Sequence, residues 1–173
     1  MKKIIIALLS VFLMQNITFS AEIVEFDFPN AGWHQVVSPD GILSKKCFVP
    51  ANQTSENYTE MLIFNKRTLK NKGITPIVIL QKQLGKDRLN YMDIEPNYIV
   101  NDFDNAMVTW CSKSKNTCTV QRAFQGNEGI IIVTYRNRMP HYSQNMFGQW
   151  SNILSHVKLH NSSLNTGKNK IEL

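Results

Sequence analysis

Ala106-Met107-Val108-Thr109-Trp110-Cys111, then Ser112-Lys113-Ser114-Lys115-Asn116-Thr117, then Cys118-Thr119-Val120-Gln121-Arg122-Ala123-Phe124-Gln125 is the stretch whose reading decides the fold. Two β-prone runs flank a polar connector, and a cysteine stands at the inner end of each run. Branched and aromatic side chains suit a pleated, half-buried surface, so the pattern predicts a β-hairpin. If the strands meet there, Cys111 and Cys118 face each other directly. That pairing is the first expectation for a disulfide; Cys47 with either of them, or no bridge, are the alternatives for an odd set of three cysteines. The spacing is not C-x-x-C, so a clasp fits better than redox chemistry.

Working outward, Gly126-Asn127-Glu128-Gly129 is a turn, and Ile130 to Arg136 is the most apolar run downstream of the N-terminal segment. A run apolar at nearly every position is buried on both faces, which places it at the centre of a sheet. Glu22 to Phe28 alternates, with Val24, Phe26 and Phe28 on one side, and predicts a half-buried strand. Trp33 to Val37 is a second short strand, closed by the turn signal Ser38-Pro39-Asp40-Gly41, and Lys46 to Val49 is a third. Asn57 to Phe64 reads as an interior strand. Tyr91 to Val100 reads as extended, with Pro96 marking an edge strand or a kink.

Two helices are expected. Thr75-Pro76 opens the first, with threonine as N-cap and proline at the first helical position. Ile77, Val78, Ile79, Leu80 and Leu84 supply its buried face, and Gly85 is the natural stop. Ser143 begins the second, where Met146, Phe147, Trp150, Ile153, Leu154 and Val157 form one apolar stripe with Trp150 as anchor. Seven or eight short strands in runs, with two helices, predict an α+β fold: an antiparallel sheet of short strands packed against two helices in a single domain. A doubly wound nucleotide-binding fold is disfavoured.

The first residues carry Lys2 and Lys3, an apolar run from Ile4 to Met14, and small residues through Ser20-Ala21. This is the layout of a secretory signal peptide, too short to span a membrane. The expected division is a signal peptide at 1–21, a globular domain at 22–160, and a polar, disordered tail at 161–173. Without the leader the chain carries 17 basic and 13 acidic residues, a net +4, because Lys2 and Lys3 are two of the 19 basic residues. That balance favours anionic surfaces. No arginine-rich stripe or basic helix points to nucleic acid. No later segment is long and apolar enough to span a membrane.

No catalytic set, cofactor loop or metal cage is legible. Lys66, Arg67, Lys70 and Lys72, with Lys113 and Lys115, are candidate anion-binding groups, weighed against a solvated connector and turn. His156 and His160 stand four apart at a helix end, where a dipole-side cap competes with zinc ligation. Cys47 with His34 is a conceivable thiol and base, against the default of a small buried hydrophobe. Glu60 in its apolar strand would act as a general acid only if burial raised its pKa.

Asn57-Tyr58-Thr59-Glu60-Met61 resembles the Asn-Trp/Tyr-Thr-Glu-Met strand of a group of uncharacterised bacterial exported proteins. The likeness runs through Val49-Pro50, the cysteine-bearing hairpin, Val120-Gln121-Arg122-Ala123-Phe124, Gly129 to Tyr135, and Gln149-Trp150. It implies an exported α+β domain and carries over no catalytic residues. The leading expectation is therefore a periplasmic or secreted, non-enzymatic binding domain with a protein partner, an accessory component of a cell-envelope or secretion assembly. The alternatives are a module for an anionic ligand (polysaccharide or lipid headgroup) and a hydrolase with an unrecognised site.

Overall fold

In the computed structural model, the described residues are 22–26, 32–42, 45–68, 73–138, 144–161 and 170–173. Residues 1–21, where a signal peptide is expected, Lys70, Lys72 and residues 162–169 lie outside them. Among the described residues, ten strands and two helices follow in the order β1 (Glu22–Glu25), β2 (Trp33–Val36), β3 (Lys45–Pro50), β4 (Glu60–Thr68), α1 (Pro76–Asn90), β5 (Asn97–Asn101), β6 (Asn105–Ser112), β7 (Thr117–Gln125), β8 (Gly129–Asn137), α2 (Gln144–Ser155), β9 (Lys158–Asn161) and β10 (Lys170–Glu172). The class is α+β.

Seven strands form one antiparallel sheet in the order β2-β3-β4-β8-β7-β6-β5. β8 is the middle strand, as its continuous apolar run requires: Gly129 through Tyr135 are all buried. The central strands are longer than the short ones expected, at nine residues each in β4, β7 and β8. β5 is an edge strand, as Pro96 implied, and a register irregularity sits between Tyr98 and Val100.

The chain leaves β4 in mid-sheet and re-enters at the β5 edge, so the connection must cross β8, β7 and β6. Four strand spacings amount to ~19 Å. A helix of the observed 15 residues spans roughly 22 Å. α1 therefore lies across this face, where Ile79 and Leu80 pack on Ala106, Val108, Ala123, Ile130 and Ile132. Thr75 takes the N-cap position with extended backbone, but its side chain makes no capping hydrogen bond.

Gly85 does not stop the helix, which runs five residues further to Asn90. A helical glycine costs only about 1 kcal/mol relative to alanine. The packing of Leu84 against Ile94 and Trp110, with the Tyr91 ring tilted against Trp110 at 5.2 Å between ring centres, holds the last turns in place.

The opposite face carries α2 and a second antiparallel sheet, β10-β1-β9. Trp150 is the anchor here. It stacks on Tyr135 at 3.9 Å and on Phe26 at 6.3 Å, and meets Trp33 edge-on at 5.8 Å. Val24, Phe26, Leu154 and Ile171 close the same core. The tail expectation needs correcting at its end. Lys170–Glu172 pairs with β1, and Ile171 is buried. Polar composition around one isoleucine hid a three-residue strand that only its partner reveals.

Cys111 and Cys118 are direct cross-strand partners and are disulfide-bonded, with Cα atoms 4.1 Å apart. This is close to the narrow, non-hydrogen-bonded pair of an antiparallel ladder. Cys47 is the free thiol and is fully buried. No helix among the described residues is long and apolar enough to cross a membrane.

Candidate functional site

Alternation along the strands divides the large sheet into two unlike faces. Towards α2, β8 presents Ile131, Val133 and Tyr135. Towards α1 it presents Ile130, Ile132, Thr134 and Arg136, a side that turns polar at one end. The register aligns the neighbours. Thr134 stands between Ile63 of β4 and Gln121 of β7, and Arg136 stands between Met61 and Thr119. A polar floor is thus built into the middle of an otherwise apolar sheet.

Over that floor lies a cleft of about 240 Å³. α1 forms one wall through Gln83 and Asp87, and the Ser38–Asp40 turn with Lys45 forms the opposite wall. Tyr58 and Arg138 stand at its end, while Met61, Ile63 and Ile132 supply apolar lining. The turn is rigid. Gly41 adopts φ +68° and donates its N–H to the Ser38 carbonyl at 2.9 Å, and Ser38 Oγ donates to Asp40 Oδ1 at 2.6 Å. Lys45 pairs with Asp40 Oδ2. Burial works to raise the Asp40 pKa, but the bonds from Lys45, Ser38 and the Ile42 amide outweigh it and hold the carboxyl down at about 2.

Tyr58 is positioned by the Asn57–Met61 segment that leads into β4. Gln53 clamps this segment: its Oε1 accepts the Thr59 N–H at 2.7 Å and its Nε2 donates to Thr59 Oγ1 at 2.7 Å. The Arg138 guanidinium lies over the Tyr58 ring at 4.1 Å, a cation–π contact that fixes it at the cleft mouth.

The chemistry of the cleft resides in what its polar atoms leave unmet. Asp87 is 5% exposed and Gln121 is 2% exposed. Asp87 Oδ1 accepts from Gln83 Nε2 at 3.3 Å, and Gln83 Oε1 accepts from Arg67 at 3.0 Å. Asp87 Oδ2, Gln121 Oε1 and Arg136 Nε are buried without a hydrogen-bond partner among the described residues. Burial raises the Asp87 pKa, opposed by the charge of Arg136 and the Gln83 bond. Buried polar atoms are nearly always paired, so three unmet ones lining one cleft are unusual. A hollow of about 420 Å³ beside Trp110 holds one such atom, the indole Nε1, and a hollow of about 480 Å³ beside His156 holds none.

The residues singled out from sequence fall elsewhere. Lys66 pairs with Glu128 at 2.7 Å, and Arg67 is engaged by Gln83. Lys113 and Lys115 sit on the β6–β7 turn, at the far end of the sheet from Lys66 and Arg67, so the two groups do not converge. Glu60 faces α2, away from the cleft, and accepts the Tyr135 hydroxyl at 3.2 Å; burial raises its pKa and that bond opposes the rise. Burial pushes the Cys47 thiol up, with Ser38 and Lys45 acting against it, so the thiolate that chemistry needs is disfavoured. His34 is exposed on β2. The His156 ring contacts the Asn152 carbonyl at 2.8 Å, while the His160 side chain lies outside the described residues. No group of three or more metal-ligating side chains occurs among the described residues.

Asp87, Gln121, Thr134, Arg136 and Arg138 were missed as site residues. Gln121, Thr134 and Arg136 stand out as polar residues within the two most apolar strands, but no spacing in the sequence joins them to Asp87 on α1 or to Arg138 beyond β8. A scan against protein-family models and a search of curated proteins each find no match.

Proposed function

We propose that this chain is an exported, non-catalytic binding domain of a bacterial cell, and that the cleft beneath α1 holds a small ligand bearing an anionic group. The observation that carries this reading is the convergence of unpartnered buried polar atoms in one cleft with Arg136, Arg138 and Lys45 around it. A pocket with apolar walls and a few convergent polar groups is the usual form of a small-molecule site. The anionic-ligand reading thereby moves from the lysines of the connector and turn to the arginines of β8 and its C-terminal end. Among the described residues the cleft shows no nucleophile with its base: no histidine of that set lines it, and the Ser38 hydroxyl is committed to Asp40. The disulfide accords with an oxidising, extracytoplasmic location, periplasmic or secreted. Calorimetry against a panel of small carboxylates, phosphate and sulfate tests the reading. Binding that weakens with added salt and is lost in Arg136→Gln is expected; affinity indifferent to both discards it.

A second reading, a protein-interaction component of an envelope or secretion assembly, is favoured by the β5 edge. Tyr98 and Ile99 are exposed on it, and Met92 and Phe103 flank it at 92% and 78% exposure. An open edge with apolar side chains is a template for strand addition. Crosslinking in envelope extracts should then capture one defined partner through β5, and capture unchanged by Ile99→Lys would dismiss it.

A further inference from the structure

Resting on the cleft-binding reading above, we infer that the ligand is a zwitterion, a free α-amino acid with a small apolar side chain. The argument starts from the donor and acceptor count. Asp87 Oδ2 and Gln121 Oε1 are acceptors, and Arg136 Nε is a donor; all three are buried and lack a protein partner among the described residues. Their complement is a molecule offering at least two donors and one acceptor. An ammonium group carries three donors and no acceptor, and a carboxylate carries only acceptors.

A simple anion satisfies Arg136 but would bring its charge towards the Asp87 carboxylate, 5% exposed at the cleft wall. A simple amine satisfies Asp87 and Gln121 and leaves the guanidinium unmet. A molecule with both charges on neighbouring atoms meets all three. The ammonium goes to Asp87 and Gln121, and the carboxylate goes to Arg136, with the Arg138 guanidinium at the mouth.

The remaining lining sets the size and polarity of the side chain. Met61, Ile63 and Ile132 form an apolar wall. The cleft volume of about 240 Å³ falls below the ~300–1,000 Å³ of sites for drug-sized molecules. Gln83 does for Asp87 what a supporting partner does in a built site: it holds Oδ1 and leaves Oδ2 free for the ligand. Arg67 in turn holds Gln83. Oriented supports of this kind distinguish a prepared site from an incidental gap.

The test uses the intact folded protein and titration calorimetry with matched probes. These are alanine, valine, leucine and methionine, then isocaproate (leucine without its ammonium) and isoamylamine (close to leucine without its carboxylate). One or more of the amino acids should bind at least tenfold more tightly than both singly charged probes. Asp87→Asn should remove that preference over isocaproate, and heteronuclear NMR of the variant confirms that it is folded. Equal affinity for leucine and isocaproate overturns the inference and leaves the anionic-ligand reading standing. Silence from the amino acids while phosphate or sulfate binds does the same. Silence from every probe overturns both.

Discussion

Arg122 Nη1 donates a 2.6 Å hydrogen bond to the carbonyl oxygen of Leu154, joining the β7 strand to the end of α2. The same nitrogen reaches the carbonyls of Ser155 at 2.8 Å and Val157 at 2.9 Å, while Nε donates to Asn105 at 3.0 Å. The last carbonyls of a helix lack partners within it and carry the negative end of its dipole. A guanidinium rising from the sheet supplies donors and charge together. Arg122 is only half-buried, and burial alone pushes its pKa down; a guanidinium nonetheless keeps its charge in proteins.

Arg122→Leu should therefore destabilise the protein by about 1.5–3 kcal/mol, the usual range for a hydrogen bond to a charged group. Arg122→Lys should lose less, because the charge remains while the planar fork is lost. Urea denaturation of both variants checks the order. Equal losses would mean that the planar fork, rather than the charge, holds α2.

Reduction of Cys111–Cys118, or replacement of both by serine, should cost about 2–3 kcal/mol, as expected for a cross-link closing so short a loop. The separation is seven residues. The hairpin lies at the interior of a sheet paired on both sides, so the fold should survive. Calorimetry with and without reductant should show a lowered Tm, and circular dichroism an unchanged far-ultraviolet spectrum.

Acid should loosen the tip of this hairpin. Asp93 accepts from Ser112 Oγ at 2.6 Å, the Ser114 N–H at 2.9 Å and Ser114 Oγ at 3.1 Å, and these bonds hold its carboxyl at about 2. A folded pKa below the unfolded value of ~3.9 means that the unfolded state binds the proton more readily. The contribution is complete above pH ~4 and is lost as pH falls towards 2. Asp40 titrates in the same window, so the comparison with Asp93→Asn isolates the effect. The protection of the Ser114 amide against exchange, relative to its intrinsic rate at each pH, should fall on acidification in the native protein and be low throughout in the variant.

Asp87 should act in the opposite direction. Burial raises its folded pKa above the unfolded value, so the native state holds the proton more tightly. Its contribution to stability falls as pH rises from ~4 through the folded pKa. Asp87→Asn should remove this slope and leave the unliganded protein as stable as, or more stable than, the native chain at neutral pH. That is the pattern of a residue kept for binding rather than folding. Thermal denaturation between acid and neutral pH measures it.

Gly129 opens β8 opposite Thr68, where an added Cβ would collide with the Arg67 carbonyl. Gly129→Ala should cost about 1–3 kcal/mol, typical of overpacking against atoms that cannot move aside. A neutral result in denaturant titration would show that the β4–β8 pair can part locally.

Much of the fold was legible because periodicity reports burial. The run from Gly129 to Tyr135 is buried at every position and proved to be the middle strand. The cysteines at the inner ends of two β-prone runs proved to be cross-strand partners. Trp150 within a helical stripe proved to be the anchor of its face. Local punctuation was less reliable. Gly85 carries the strongest stop signal of α1, yet Leu84 and Tyr91 packing around Trp110 carries the helix past it. Ile171 lies in a polar context, yet pairing with β1 buries it.

By itself, then, the sequence determined an antiparallel sheet with helices, its middle strand and its clasp, since each follows from side chains near one another along the chain. Only the tertiary structure decided the cleft. Asp87 lies on a helix, Gln121 and Arg136 on two neighbouring strands, and Lys45 on a strand far earlier in the chain. They meet because the crossing from β4 to the β5 edge lays α1 over β8, β7 and β6, and strand register then turns Gln121 and Arg136 to that side. A constellation assembled by crossover and register leaves no spacing in the chain from which it could be read.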